Sequence, residues 1–249
     1  MKIRVLIAIF SFCFVLGASQ SHAFDWWDKA KQVLESDAGS TVTSNVSGLT
    51  NTEVSAGLRE ALKIGTQKVV GQVGVKDGFN LDPKIHIPLP GTLGKVDSAL
   101  SKIGMGSLTE DLELRINRAA EAATPKAKEL FITAISEMTI DDAKNILTGP
   151  NDAATSYLRK TMGPGLSKEM QPIVQNTLAE AGAIQAYDNV MGQYEKLPFM
   201  PDVKSNLNNY AVEKAMDGIF YYVAQEEQLI RENPAARTTD LLKKVFSSQ

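Results

Sequence analysis

The sequence of 249 residues has few of the side chains that most often build metal and thiol chemistry. It contains one cysteine, Cys13, and two histidines, His22 and His86. Cys13 and His22 lie within the first 23 residues, so the rest of the chain has no cysteine and one histidine. That remainder can form no disulfide, thiolate nucleophile or multi-histidine zinc site. Carboxylate cation sites stay open, but no diagnostic spacing marks one, and we predict no metal and no cofactor.

Catalytic and nucleotide-binding motifs are also lacking. The sequence has no G-x-S-x-G, no S-x-x-K, no Walker loop and no G-x-G-x-x-G. Its formal net charge is -3 and its basic residues alternate with acidic ones, so no basic stripe is present for a nucleic acid. After the first 23 residues, no apolar run reaches the roughly 20 residues that span a membrane. These absences favour a protein that is not an enzyme and has no nucleic-acid partner.

Residues 1–23 have the layout of a secretory signal peptide. A short basic start precedes a mostly apolar run of twelve residues, and Ser21 and Ala23 give a small-x-small cleavage site. Cys13 lies inside the apolar run and not at its end, which argues against a lipid anchor. We therefore expect cleavage near Ala23 and an extracytoplasmic, periplasmic location.

Composition divides the remaining chain into three parts. Residues 24–36 have the pattern of a short amphipathic helical arm, in which Trp26 and Trp27 are candidate contacts with a membrane surface. Packing of this arm on its own domain is the alternative. Residues 37–49 are rich in Ser, Thr and Gly and are predicted to be a flexible linker. Residues 50–249 are predicted to form one helical domain.

Helical periodicity runs through that domain, and no segment alternates in the manner of a strand. We therefore predict an all-α fold, a single multi-helix bundle with short loops. The longest helix is predicted over residues 206–233. Four predicted helix starts share capping chemistry: Thr50 with Glu53, Ser107 with Glu110, Thr124 before Pro125, and Thr139 with Asp142.

Residues 75–90 are the exception to the helical pattern, and they end in I-H-I-P-L-P. Proline has no N–H and disfavours helix at the preceding residue, so this segment must be extended. His86, Pro88 and Pro90 form a candidate contact strip, since such a sequence could lie in the peptide groove of a partner protein. The alternative is a surface histidine with no binding role.

Eight charged residues of the domain could meet in its interior, and the arginines with Asp152 and Asp240 lie in comparable, largely apolar settings. A guanidinium keeps its charge everywhere, so a buried arginine needs a carboxylate or carbonyl partner. The eight are candidates for an interior ion-pair network or, alternatively, an anionic ligand pocket: Arg118, Asp152, Arg159, Glu213, Asp217, Arg231, Arg237 and Asp240. Glu213 and Asp217 also lie four apart on one helix, where a general acid and base could sit. Neutralisation of that pair by neighbouring arginines is the alternative.

Several stretches resemble the bacterial family known as domain of unknown function 4197. They are GLREALKIGTQ (57–67), KIHIPLP (84–90), INRAAEAA (116–123), ILTGPNDAATSYLR (146–159) and EKAMDGIFYYVAQEEQLIRENPAARTTDLLKKVF (213–246). The similarity runs from about Leu49 to Phe246. The resemblance implies a helical extracytoplasmic domain and implies no activity and no catalytic residues.

Three hypotheses about function follow. The first is a non-enzymatic helical module that binds a partner protein or a small apolar or anionic ligand. The second is an envelope structural protein tethered by the aromatic arm. The third is a hydrolase or lyase that uses carboxylates such as Glu213 and Asp217. A cavity of several hundred Å³ would favour the first, and a strongly raised pKa on either carboxylate would favour the third.

Overall fold

A computed structural model of the chain describes residues 50–201, 203 and 205–233. In these residues the regular structure is helical and no strand occurs, which confirms the all-α prediction. The α-helices are α1 (Asn51–Val73), α2 (Gly94–Lys102), α3 (Gly106–Ser136), α4 (Ile140–Leu147), α5 (Ala153–Tyr157), α6 (Gly163–Glu180), α7 (Ala183–Tyr194) and α8 (Leu207–Glu232). A 3-10 turn, Gly91–Leu93, precedes α2, and a π-helical turn, Leu158–Met162, joins α5 to α6.

The predicted signal peptide, arm and linker lie outside the described residues. So do Trp26, Trp27, Arg237 and Asp240, together with the end of the predicted domain. In the part of the chain that the structure describes, no helix combines the length and the hydropathy needed to cross a membrane.

Helix α3 is the centre of the bundle. It packs against α1, α2, α6, α7 and α8. Fully buried alanines line much of it, at 119, 120, 123 and 127, and such small side chains let neighbouring helices approach closely. Helix α8 is the second organising element, because it packs against α1, α3, α5 and α6. The two longest helices therefore hold most of the others in place.

Two of the four predicted helix starts are confirmed. At α1, the Thr50 hydroxyl accepts a hydrogen bond from the Glu53 N–H, and the Glu53 carboxylate accepts one from the Thr50 N–H. The same reciprocal pair opens α4 at Thr139 and Asp142. Each box satisfies N–H groups that the first turn of a helix leaves without partners. Local sequence was sufficient to place these two ends.

The other two predicted caps are absent, although a helix does begin near Ser107. Helix α3 begins at Gly106 without a side-chain cap at Ser107, and it continues through Pro125 without a break. Proline costs an interior helix about 3 kcal/mol, but here its ring packs against the end of α1. A Cβ placed on Gly74 would lie 2.9 Å from the Pro125 ring. Packing of the buried alanine-rich face therefore overrides the local signal.

Residues 75–90 have no regular structure, as the sequence predicts, but they belong to the core. Phe79 and Ile87 are fully buried and Ile85 is 6% exposed. Phe79 packs on α8 at Gly218, where an added Cβ would come within 2.6 Å of its ring. The segment thus contributes buried side chains to the core, while others of its residues, such as Leu81, face solvent.

Candidate functional site

An open cleft of about 500 Å³ lies between the start of α6 and one face of α8. Its apolar floor is made of the buried residues Val212, Met216 and Phe220. Its polar and backbone lining consists of Arg159, Gly163, Pro164, Ser167, Gln171, Asn209, Glu213 and Asp217. The volume falls within the range of small-molecule sites, which combine an apolar lining with a few polar groups.

Arg159 is the cation of this cleft, and the π-helical turn places it there. Its Nη1 donates a hydrogen bond to Asp217 Oδ1 at 2.6 Å, and its guanidinium carbon lies 5.0 Å from the centre of the Phe220 ring. The side chain is 51% exposed. Among the described residues, Asp217 is the hydrogen-bond partner of Arg159, so its Nε and Nη2 hydrogens have no protein acceptor there. A guanidinium has five N–H donors, and most of them remain for a bound group.

The π-helical turn explains why Arg159 faces this site. Leu158 is buried and fixes the turn against the core, whereas Lys160 is exposed. A π-turn inserts an extra residue into a helical path, and such turns often occur at functional sites. Arg159 lines the cleft while its neighbour Lys160 does not.

The carboxylates of the cleft have cationic neighbours. Asp217 is paired with Arg159, and its second oxygen lies 3.6 Å from the Lys214 ammonium. Glu213 is 69% exposed and lies 3.7 Å from the same ammonium. Glu213 and Asp217 therefore share a helix face, as their spacing predicts, but each has a cation beside it.

Arg118 lies at a separate place, on α3 beside residues 75–90. It donates to Asp77 at 2.6 Å and to Glu121 at 2.7 Å. The other oxygen of the buried Glu121 accepts the N–H groups of Phe79 and Asn80. The hydrogen bond from Arg118, with a second from Asn80, holds the pKa of Asp77 below its usual value. This network fixes a loop to a helix.

Arg231 forms a third network, with Glu227, and both side chains are only 5% exposed. Arg231 donates to Glu227 at 2.9 Å and to the Ile146 carbonyl at 2.8 Å. Glu227 accepts the N–H groups of Ala154 and Thr155, each at 2.8 Å. The pair therefore joins the end of α4 to the start of α5. Asp152, in the same corner, is exposed and accepts a hydrogen bond from the Ser156 hydroxyl.

The candidate contact strip has its partners within the chain. His86 Nδ1 lies 2.8 Å from the Asn80 carbonyl, and Nε2 lies 3.0 Å from the Glu113 carboxylate. Pro90 is buried, and Pro88 is exposed although its carbonyl accepts a hydrogen bond from Tyr210. The His86 ring and the Pro88 carbonyl thus have partners within the chain, while the Pro88 side chain is exposed.

The structure brings together Arg159, Glu213 and Asp217 and distributes Arg118, Asp152 and Arg231 elsewhere. Sequence reasoning missed the polar cleft residues Ser167, Gln171 and Asn209, which carry no pattern of their own. It also missed Glu121, although an acidic residue inside an alanine run is itself a signal. No cluster of three or more metal-ligating side chains occurs among residues 50–201, 203 and 205–233.

Comparison with known proteins gives one match. A family model described as "Protein of unknown function (DUF4197)" covers residues 48–247. No curated protein matches the chain, and no solved structure matches it.

Proposed function

The chain belongs to the DUF4197 family, whose description assigns no activity, and we propose from its geometry that it is a non-catalytic binding protein. The proposed site is the cleft between α6 and α8. The proposed ligand is a small amphipathic molecule with one anionic group and an apolar body. This is the first of the three hypotheses, made specific to one site.

The observation that carries the proposal is the environment of Arg159. Its guanidinium stands at a cleft of about 500 Å³ and has one hydrogen-bond acceptor, Asp217, among the described residues. A carboxylate or phosphate can accept two parallel hydrogen bonds from the remaining N–H groups of the guanidinium. Lys214 lies 3.6 Å from Asp217, so Asp217 would keep a cationic neighbour if Arg159 turned to a ligand.

The floor of the cleft supports an apolar body for the ligand. Met216 and Phe220 line the cleft beside the charged group and, although largely buried, present a small apolar surface to it. Burial of a hydrocarbon tail against such a surface gains about 25 cal/mol per Å² of apolar area. An anion with no apolar part would use Arg159 alone and would bind weakly at this exposed site.

Catalysis by Glu213 and Asp217 finds less support. A general acid at neutral pH needs a carboxyl group that is kept protonated by burial or by a second carboxylate. Glu213 is largely exposed, and Asp217 is paired with Arg159 and lies near Lys214. These surroundings favour a role in balancing the charges of Arg159 and Lys214.

We further propose that the protein acts outside the cytoplasm after removal of residues 1–23. The support for this is the signal-peptide pattern of those residues, which lie outside the described part of the structure. Mass spectrometry of the N-terminal peptide from the periplasmic fraction of the host tests it. A mature chain that begins at Phe24 is the expected result, and a retained Met1 would contradict it.

Calorimetric titration with decanoate tests the binding site. We expect decanoate to bind, butanoate to bind at least tenfold more weakly for want of apolar contact, and decyltrimethylammonium to show no binding (about 1.4 kcal/mol per tenfold). Arg159→Met should weaken decanoate binding at least tenfold. Lys160→Met, next to it on the exposed side of the turn, should leave binding unchanged.

Two results would contradict the proposal. One is equal decanoate affinity for the wild type and Arg159→Met, and the other is no binding of any of the three compounds to the wild type. Native mass spectrometry of protein taken from host cells then identifies the physiological ligand. The expected result is a mass excess that disappears on denaturation and is absent from Arg159→Met.

A further inference from the structure

The most exposed large apolar side chain of the described residues is Phe199. It lies in the loop between α7 and α8, within the sequence Leu197-Pro198-Phe199-Met200-Pro201, here called the 197–201 loop. Phe199 is fully exposed, at 102% of the reference area for a free residue, and Met200 is 43% exposed. Both flanking prolines are exposed as well. Two large apolar side chains of this loop are thus exposed to water, which is unfavourable.

Phe199 also has a strained backbone. Its φ is +64°, and the one other non-glycine residue with positive φ among the described residues is Asp77. Asp77 is held there by hydrogen bonds from Arg118 and Asn80. Phe199 has no packing contact that would offset the cost. A positive φ is a genuine outlier for a bulky side chain, and strain of this kind concentrates at binding sites.

The ends of the loop are hydrogen-bonded to the end of α7, which restricts the position of Phe199 and Met200. The buried Tyr194 donates its hydroxyl to the Pro201 carbonyl at 3.3 Å, and the Leu197 N–H donates to the Tyr194 carbonyl at 3.0 Å. Leu197 also packs against the core. Proline on either side restricts the backbone further. Little conformational entropy remains to be lost when the tip binds.

The backbone of the tip suits hydrocarbon better than a protein groove. Of residues 198–201, only Phe199 and Met200 have an N–H, because proline has none. An N–H without a partner is costly in lipid, so a tip with few donors enters a bilayer at less cost. A protein groove that binds an extended peptide uses those same donors for recognition. The tip therefore has few of the N–H donors by which a protein groove would recognise it.

We propose that the 197–201 loop is a reversible membrane anchor, in which Phe199 and Met200 insert into the interfacial region of a lipid bilayer. The exposed charges next to the loop, Glu195 and Lys196, are opposite in sign. Attraction to anionic lipid therefore contributes little, and apolar insertion supplies the affinity. The site is separate from the α6–α8 cleft, and the proposal does not depend on the ligand there.

Co-sedimentation of the full chain with neutral phosphatidylcholine vesicles tests the anchor. We expect the wild type to pellet with vesicles and the Phe199→Ser/Met200→Ser double variant to need at least about tenfold more lipid. Leu81→Ser is the matched control, because Leu81 is 73% exposed and lies in residues 75–90. It should bind like the wild type. Binding should also persist when salt is raised from about 0.1 to 0.5 M, a range that screens charges strongly.

Three outcomes would overturn the anchor. The first is no binding of wild-type protein to vesicles. The second is equal binding by the double variant, which would assign any membrane contact to another part of the chain, such as Trp26 and Trp27. The third is an equal loss of vesicle binding in Leu81→Ser, which would mean that any exposed apolar side chain contributes to binding. Both altered loop residues are exposed, so their replacement should not impair folding, and circular dichroism checks this.

Discussion

Two irregular segments of this protein share prolines and large apolar side chains but differ in burial. Residues 75–90 and the 197–201 loop both combine large apolar side chains with prolines, and each contains a non-glycine residue with positive φ. The first is built into the core, with Ile87 and Phe79 fully buried. The second holds Phe199 in solvent. Composition alone does not separate an internal layer from an exposed tip.

The difference lies in the partners of the backbone. Asn117 accepts the Ile87 N–H at 2.9 Å and donates to the Ile87 carbonyl at 2.8 Å. Glu121 and Glu113, one turn away on either side, accept further N–H groups of the segment. These side chains supply the hydrogen bonds that a neighbouring strand would otherwise give to the backbone of a buried extended segment. Among the described residues no such row of side chains bonds to the 197–201 loop, in which two prolines lack an N–H.

The largest expected effect comes from removing apolar packing inside the buried segment. Ile87→Ala should lower the free energy of unfolding by about 2–5 kcal/mol, because it leaves a cavity at a fully buried site. Leu81→Ala, in the same segment but exposed, should change it by less than about 0.5 kcal/mol. Urea unfolding followed by circular dichroism measures both. Similar losses in the two variants would mean that residues 75–90 do not divide into buried and exposed parts as described.

A smaller loss is expected when the backbone loses its partner. Asn117→Ala leaves the N–H and the carbonyl of Ile87 buried without hydrogen bonds, which should cost about 2–3 kcal/mol. Asn145→Ala is a suitable control, because Asn145 lies on the exposed face of α4. The same unfolding experiment applies. Wild-type stability in Asn117→Ala would show that packing, and not hydrogen bonding, holds the segment.

In the exposed loop, removing a side chain should raise the free energy of unfolding instead of lowering it. Phe199→Gly removes the steric cost of positive φ and loses no packing, so stability should rise by about 0.5–1 kcal/mol. Asp77→Gly relieves the same strain but removes a partner of Arg118, and it should give no such gain. Calorimetric melting compares the two variants. A lower melting temperature in Phe199→Gly would mean that the aromatic ring has a stabilising contact.

The smallest effect concerns alkaline pH. Tyr222 donates to Asp82 in residues 75–90, and this bond with burial raises the pKa of Tyr222 to about 12. Above about pH 10 the unfolded chain loses this proton while the folded chain keeps it. The stabilising contribution is therefore complete below pH 10 and is lost as the pH rises to about 12.

Absorbance at 295 nm and unfolding at about pH 9 and pH 11 check this linkage. Tyr222→Phe should remove one late-ionising tyrosine and reduce the loss of stability between the two pH values. Tyr157→Phe should reduce the loss of stability in the same way, because the pKa of Tyr157 is also raised to about 12, by burial and Asp142, away from the segment. A steeper loss in Tyr222→Phe would reverse the inferred sign.

Periodicity and capping were sufficient for the fold class and for the starts of α1 and α4, since these depend on residues a few positions apart. They failed at Pro125, where contact with Gly74 decides the outcome. The pairing of Arg159 with Asp217, 58 residues away, also depends on the packing of α6 on α8. The sequence named both residues as candidates. It could not show which of the eight charged candidates would meet, because that is set by tertiary packing.

The buried Glu227–Arg231 pair has a consequence for how the protein opens. Helix α5 has five residues, too few to persist without tertiary support. Its first N–H groups bond to Glu227, and the end of α4 bonds to Arg231. Fraying of the last turns of α8 must therefore release both helix ends together. Hydrogen exchange at Ala154 and Thr155 should then occur in one cooperative unit with the C-terminal turns of α8, although more than seventy residues of chain separate them.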